Sequence, residues 1–323
     1  MPEGHSVHRL ARQFGDVFGA ATLAVSSPQG KFAAGAALLD GQVLEHAQAH
    51  GKQMFLYFSH DHVLRVHLGL YGAWDFGGDS TFTGASSIGA PRRVGEQEIA
   101  DDSGTGGVGG YTGPPEPKGA VRVRLVSEHG WADLRGPTAC EVLAPAEAAA
   151  VRAKLGPDPL INAAGDADEF VRRIRKSGTG IGLQLMKQDV LAGVGNVYRA
   201  EVLFRLGLDP QLPGTSLSAD EAQALWADVV ALMNDGVRDG RIITTELADR
   251  PSGLGIAVGR ASGWRDDGGG RPGTASSVNR EVPVEDAHYV YKRNGLPCRH
   301  CGTVIAMAEL GGRKLYWCPS CQG

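Results

Sequence analysis

Two groups of residues in this 323-residue chain could do chemistry. The first is Pro2-Glu3. If Met1 is removed, Pro2 carries a free secondary amine, which can attack an aldehyde-type carbon and form a cationic iminium directly. An α-amino group has an unperturbed pKa of about 7.7–8.0, so a useful fraction is neutral near pH 7. Glu3 beside it can shuttle a proton, which completes an amine nucleophile with an acid/base partner. Taken alone, Met-Pro-Glu also fits a frayed terminus. The second group is Cys298, Cys301, Cys318 and Cys321, two CxxC knuckles with 16 residues between them. That spacing fits a tetrahedral zinc site of four thiolates. Four thiolates leave no open position, so the expectation is one structural Zn²⁺. His300, inside the first knuckle, is not expected to be a ligand.

The elements that must position these groups come next. Apolar residues make up 42% of the chain and charged residues 21%, an ordinary globular composition with material for about two domains. No apolar run is long enough to span a membrane. The start has His5, His8, Arg9 and Arg12 and no apolar core, so it does not read as a signal peptide, and a cytoplasmic location is expected. Four of the five cysteines lie in the last 26 residues, which favours metal in a reducing compartment over disulfides. Cys140 reads as a small buried hydrophobe. The net charge of −4 gives no sign of a nucleic-acid partner but does not exclude one, because distribution matters more than the sum. Residues 288–323 are basic, with Arg313 and Lys314 together.

Val7, Leu10, Ala11 and Phe14 fall on one face of a helix over 5–14, which would hold Pro2 in place. From about 20 to 75, short β-type runs alternate with turn signals and predict antiparallel sheet. Lys52 falls on a loop tip in this region. His67-Leu68-Gly69-Leu70-Tyr71-Gly72 sets an apolar pair between glycines. Leu70 and Tyr71 could form a wedge or could cap the sheet. Residues 77–119 hold 12 glycines and read as a flexible insertion. VRVRLVS resumes a strand and is followed by Asp133-Leu134-Arg135-Gly136.

A helical region follows, with helices expected over 168–176 and 181–191. Ala192-Gly193-Val194-Gly195-Asn196 then makes a tight turn opening a helix, with Asn196 near its cap. Backbone N–H groups at such a turn suit a phosphate. Ser218 and Glu221 form a capping box for a helix expected to end before Gly236. Residues 251–280, with eight glycines, read as a linker. Between the knuckles, VIAMAEL and KLYW predict a β-hairpin whose tip carries Arg313 and Lys314.

In this order the motifs resemble the formamidopyrimidine-DNA glycosylase and endonuclease VIII family of DNA glycosylases. The resemblance spans nearly the whole chain. It rests on Pro2-Glu3-Gly4-His5, Gly51-Lys52, the 67–72 loop, Leu191 to Tyr198, and the cysteine ribbon. It implies an α+β multidomain fold: an N-terminal β-sandwich with a flanking helix (1–140, including the 77–119 insertion), a helix-two-turns-helix DNA-binding domain (141–250), a linker (251–287) and a four-cysteine zinc ribbon (288–323). DNA would lie between the lobes, bound by a monomer.

The resemblance also implies roles. Pro2 would attack C1′ of a damaged nucleotide and Glu3 would move protons. Lys52 would contact phosphate and assist elimination. Asn196 and its turn would grip the backbone, and Arg313 the phosphate flanking the lesion. Leu70 and Tyr71 would fill the gap left by the extruded base. Arg135 is carried over as a wedge or phosphate contact. The implied activity is a combined glycosylase and abasic-site lyase of base-excision repair, without a redox cofactor. The Leu-Tyr pair and the His after Gly4 look like the endonuclease VIII side, including its actinobacterial branch, so oxidised pyrimidines are expected over 8-oxoguanine. The rival reading is a catalytically silent zinc protein that binds damaged or single-stranded DNA. A retained Met1 would force it, because an acylated Pro2 nitrogen cannot form an iminium.

Overall fold

The computed structural model describes residues 2–90, 111, 113–250 and 282–323. The 251–280 stretch read as a linker lies outside the described residues, as does Met1. The chain divides into two compact units, Met1–Leu155 and Gly156–Gly323.

The first unit opens with α1 (Gly4–Phe18), then β1 (Thr22–Ser26), α2 (Ala33–Leu39), β2 (Gln42–His50), β3 (Gln53–Phe58) and β4 (His62–His67). It continues with β5 (Ala73–Gly78), β6 (Ser87–Gly89), β7 (Val121–Val126), β8 (Gly130–Arg135), β9 (Ala139–Leu143) and α3 (Pro145–Ala153). The strands pair antiparallel in the order β6-β5-β8-β7-β1-β2-β3-β4-β9. Only Thr22↔Val43 and Leu23↔Gln42 join β1 to β2, so two sheets meet at a narrow seam. Their inner faces share one core: Met54, Leu56, Leu64 and Val66 from one side, Trp74, Phe76, Val123 and Leu134 from the other. This is the expected sandwich, two sheets packed face to face over a shared core.

The expected apolar face of α1 is buried, with Val7, Leu10 and Phe14 at most 1% exposed. Phe14 meets Trp74 edge-on at 4.8 Å between ring centroids. Gln13 ties the helix to the chain by exchanging two hydrogen bonds with the backbone of Ala85. Strand β3 is apolar on both faces because Phe55 packs under α3, together with Val63 and Ala148. Helix α3 therefore belongs with the sandwich, and the first unit runs past residue 140. The 77–119 segment is also only partly an insertion. Its described part includes β6, and Ile88 is 1% exposed in the core. Residues 91–110 and 112 lie outside the described residues.

The second unit contains α4 (Asp166–Ile174), α5 (Ile181–Gln184), α6 (Asn196–Arg205), α7 (Ala219–Asp239), β10 (Ala306–Leu310) and β11 (Arg313–Trp317). The helix expected over 181–191 stops at Gln184. Beyond it the chain goes on in backbone-bonded turns, and the Gln188 side chain braces the stretch before α6, accepting from Gly193 N and donating to Val194 O, both at 3.0 Å. Helix α7 has the expected capping box at Ser218 and Glu221, but it runs through Gly236 to Asp239. The left-handed glycine that closes it is Gly240 at φ 71°. Strands β10 and β11 join through Gly311 and Gly312, both at positive φ, as a two-residue hairpin turn requires. The hairpin is not a separate body. Ala200 and Phe204 of α6 share a core with Cys298, Ile305, Tyr316 and Cys318.

Candidate functional site

In the first unit, Glu3 is the N-cap of α1, and its carbonyl accepts from Ser6 N at 3.1 Å. Because α1 is anchored by Val7, Leu10 and Phe14, Pro2 and Glu3 are buried rather than frayed. Pro2, Val7, Lys52, His67, Leu68 and Gly69 line one small hollow. The fold thus brings Pro2 and Lys52 together from positions 50 residues apart. His67, which sequence reasoning passed over, joins them. Burial, reinforced by the charges of Lys52 and Arg65, holds its pKa below the ordinary histidine value. A neutral imidazole can donate one ring N–H and accept at the other. The signal was available: His67 opens the same glycine-flanked motif that drew attention to Leu70 and Tyr71.

That motif forms a tight turn in which Gly72 N donates to Leu68 O at 3.0 Å. Gly69 has φ 67°, and a Cβ there would collide with Thr138. Leu68 is anchored in the core, whereas Leu70 is 40% and Tyr71 81% exposed. Of the two readings, capping the sheet is the one this exposure does not fit. Arg135 sits on β8 with its guanidinium paired to the Asp75 carboxylate and hydrogen-bonded to Lys118 O. Its charge is already paired inside the fold.

His5 is 4% exposed and its Nε2 lies 3.2 Å from Ser6 Oγ. Burial, with Arg9 and the chain's amino terminus adding to it, drives its pKa down to about 3. Cys140 is half-buried on β9, and burial pushes its thiol up to about 12, as expected of an inert cysteine.

In the second unit, Asn196 is the first residue of α6, not its cap; Gly195 holds the cap position. The Asn196 side chain goes to the ribbon, with Nδ2 donating to Lys314 O at 2.8 Å. This places Asn196 beside the hairpin end that carries Arg313. Gly193, at φ 91°, makes the turn ahead of the helix.

The four ribbon cysteines place their Sγ atoms within 4.8 Å of one another. Cys298 and Cys321 are 3.9 Å apart, and Cys301 and Cys318 are 3.4 Å apart. Ligands about 2.3 Å from a tetrahedral zinc would be about 3.8 Å apart, so the thiols fit the ion. Backbone N–H groups of His300 and Cys321 point at the Cys298 and Cys318 sulfurs, both at 3.4 Å. His300 instead packs on Phe204 and reaches Asp249.

Three family models match the chain in order. They are the formamidopyrimidine-DNA glycosylase N-terminal domain (residues 1–131), the formamidopyrimidine-DNA glycosylase H2TH domain (155–247), and the zinc finger found in FPG and IleRS (295–323). "Endonuclease 8 1" of Mycobacterium tuberculosis is 42% identical over 322 residues, covering all of both chains. The chain belongs to the formamidopyrimidine-DNA glycosylase and endonuclease VIII family. Family members are DNA-repair enzymes that act as DNA glycosylases and abasic-site lyases, and this chain is one of them. A formamidopyrimidine-DNA glycosylase of Parasynechococcus marenigrum is 30% identical over 171 residues, about half of each chain. Among solved structures, a Lactococcus lactis FPG mutant in complex with a Fapy-dG-containing DNA superposes with TM-score 0.68 at 19% identity over 99% of each chain. The MutM (FPG) protein of Thermus thermophilus gives 0.66 at 24% identity, over 100% of this chain and 99% of that one. These share the family fold. Among the described residues, no helix is long and apolar enough to cross a membrane.

Proposed function

We propose that this enzyme removes oxidised bases, pyrimidines in preference to 8-oxoguanine, from DNA and cuts the strand through a Pro2 iminium. The supporting observation is the hollow that Pro2 shares with Lys52 and His67. A base must leave the stack to be reached, at a cost of roughly a few kcal/mol that is smaller for damaged pairs. Leu70 and Tyr71, held outward on a rigid turn, fill the gap and offset that cost. The Pro2 nitrogen bonds to C1′, and the bond from C1′ to the base breaks with its electron pair on the base, which takes up a proton. Opening of the sugar leaves an iminium at C1′. Its electron demand acidifies the C2′ proton, so a base can remove it and expel the 3′ phosphate. A second elimination expels the 5′ phosphate, and water frees the amine.

Glu3 is the proton carrier in this reading. Lys52, with His67 beside it, holds a phosphate next to the sugar. Asn196 and the 193–195 turn bind the backbone, and Arg313 the phosphate flanking the lesion. One zinc ion in the four-cysteine site keeps the ribbon folded. The lean towards pyrimidines rests on Leu70-Tyr71 and on His5 after Gly4, and is consistent with the full-length similarity to "Endonuclease 8 1".

The test is borohydride trapping on an abasic-site duplex and on a thymine-glycol duplex, with wild type and Pro2→Gly, beside intact-mass analysis of the amino terminus. The expected result is a covalent adduct with both substrates, lost or greatly reduced in Pro2→Gly. Trapping on the abasic substrate alone would remove the pyrimidine assignment and keep the lyase. No adduct from protein lacking Met1 would leave a DNA-binding protein without the activity.

A further inference from the structure

Helix α6 carries a buried charge that none of the roles above uses. Arg199 is 0% exposed. Its guanidinium donates to the Asn196 side-chain oxygen, to Gly182 O at 3.3 Å and to Lys314 O at 3.3 Å. Asn196 Nδ2 donates to the same Lys314 carbonyl at 2.8 Å. One side chain therefore joins the turn around α5, the start of α6 and the backbone of β11.

We propose that Arg199 is a positioning residue: it fixes which way the Asn196 carboxamide points and ties it to the ribbon hairpin, so that Asn196 and Arg313 act as one phosphate-binding unit. The inference rests on the reading of Asn196 and Arg313 as phosphate contacts.

Donor and acceptor counts set the orientation. A guanidinium has donors only, so it can lie only against the oxygen of a carboxamide. With Oδ1 held by Arg199, Nδ2 must point the other way. That nitrogen carries two N–H groups. Lys314 O takes one, and the second is the donor a phosphate needs. A carboxamide turned by 180° would present an acceptor to an anion and repel it. Without Arg199 the two orientations compete, and part of the population is wrong for binding. The Lys314 carbonyl matters for the neighbouring residue. Holding it from two donors pins the backbone next to Arg313, just after the Gly311-Gly312 turn of the hairpin. A lysine could not replace the arginine. Its ammonium is a point charge, and the three acceptors need a planar fork.

The experiment uses full-length zinc-loaded protein on an abasic-site duplex, with Asn196→Ala, Arg199→Met, the double variant and Arg199→Lys. Zinc content and thermal melting are recorded for each. Losing one charge-assisted hydrogen-bond arrangement corresponds to roughly a tenfold effect. Asn196→Ala and Arg199→Met are each expected to raise KM by about that factor, with kcat changed by less than about twofold. The double variant is expected to lie within about twofold of Asn196→Ala, because the arginine has nothing left to orient. A purely structural arginine would not give that non-additivity. Losses that multiply in the double variant would overturn the inference and leave the phosphate reading intact. Wild-type KM in Asn196→Ala would overturn the phosphate reading and the inference with it. If Arg199→Met does not fold, Arg199→Lys carries the test. A raised KM that disappears in the Asn196→Ala background supports the inference, and a wild-type KM overturns it.

Discussion

The two units hold their candidate residues by different physics. Around Pro2, position comes from apolar burial. Val7, Leu10 and Phe14 lock α1 into the sandwich, and Leu68 anchors the turn that holds Leu70 and Tyr71 out. Around Asn196 and Arg313, position comes from buried polar contacts and a metal site. Arg199 and Glu201, both 0% exposed, bind backbone groups that belong to the ribbon or lead into it. Hydrophobic packing is non-directional and tolerates small shifts, whereas a buried charge demands its partners. The first unit should therefore be robust to single polar changes, and the second to few.

The largest expected difference is metal removal. Structural zinc contributes on the order of 10 kcal/mol of apparent binding in small modules. Stripping it with a strong chelator should unfold the ribbon and lower cleavage of an abasic duplex on the order of a hundredfold, as Arg313 is lost. Hydrogen exchange is the check: protection should vanish across 298–321 and persist in β3 and β4. Loss of protection in both places would show that the units are not independent.

Next comes Glu201. Its carboxylate accepts from the backbone N–H of Tyr289 (2.8 Å), Val290 (2.9 Å) and Tyr291 (2.7 Å), and from the Thr244 hydroxyl. Glu201→Ala leaves buried donors unpaired and should cost about 3–5 kcal/mol. In a urea titration the second unit's transition should move to lower denaturant while the sandwich signal stays put.

The smallest effect sharpens the comparison from the other side, because the sandwich has a polar weakness at His5. Its folded pKa lies below its unfolded value of 6.5, so the unfolded chain binds the extra proton first. Stability contributed by the neutral ring is complete above pH 6.5 and is lost as pH falls towards about 3. One pKa unit is worth about 1.4 kcal/mol, so the loss from His5 between pH 6.5 and 5 should be about 2 kcal/mol. His67 moves in the same direction, with burial as the first cause. Thermal melts of wild type and His5→Gln at both pH values check this: the variant should lose less. Equal losses would mean that His5 is not the acid-sensitive group.

What could be read in advance was local. The CxxC knuckles, the Gly311-Gly312 hairpin, the capping box at Ser218 and the apolar face of α1 all express themselves within a few turns or strands of sequence. Their geometry follows from ligand spacing, backbone handedness or helical period. Tertiary structure alone decided the rest. His67 meets Pro2 across 65 positions, and Arg199 meets Lys314 across 115. Arg135 is claimed by Asp75, and the helix expected over 181–191 stops at Gln184, where the chain goes on in turns whose Gln188 side chain bonds the backbone of Gly193 and Val194. Buried charges and side-chain-to-backbone bonds have no period, and their partners are chosen only when distant segments pack. Composition could announce an Arg in α6, but only the hairpin lying against it gave that arginine the Lys314 carbonyl as a partner.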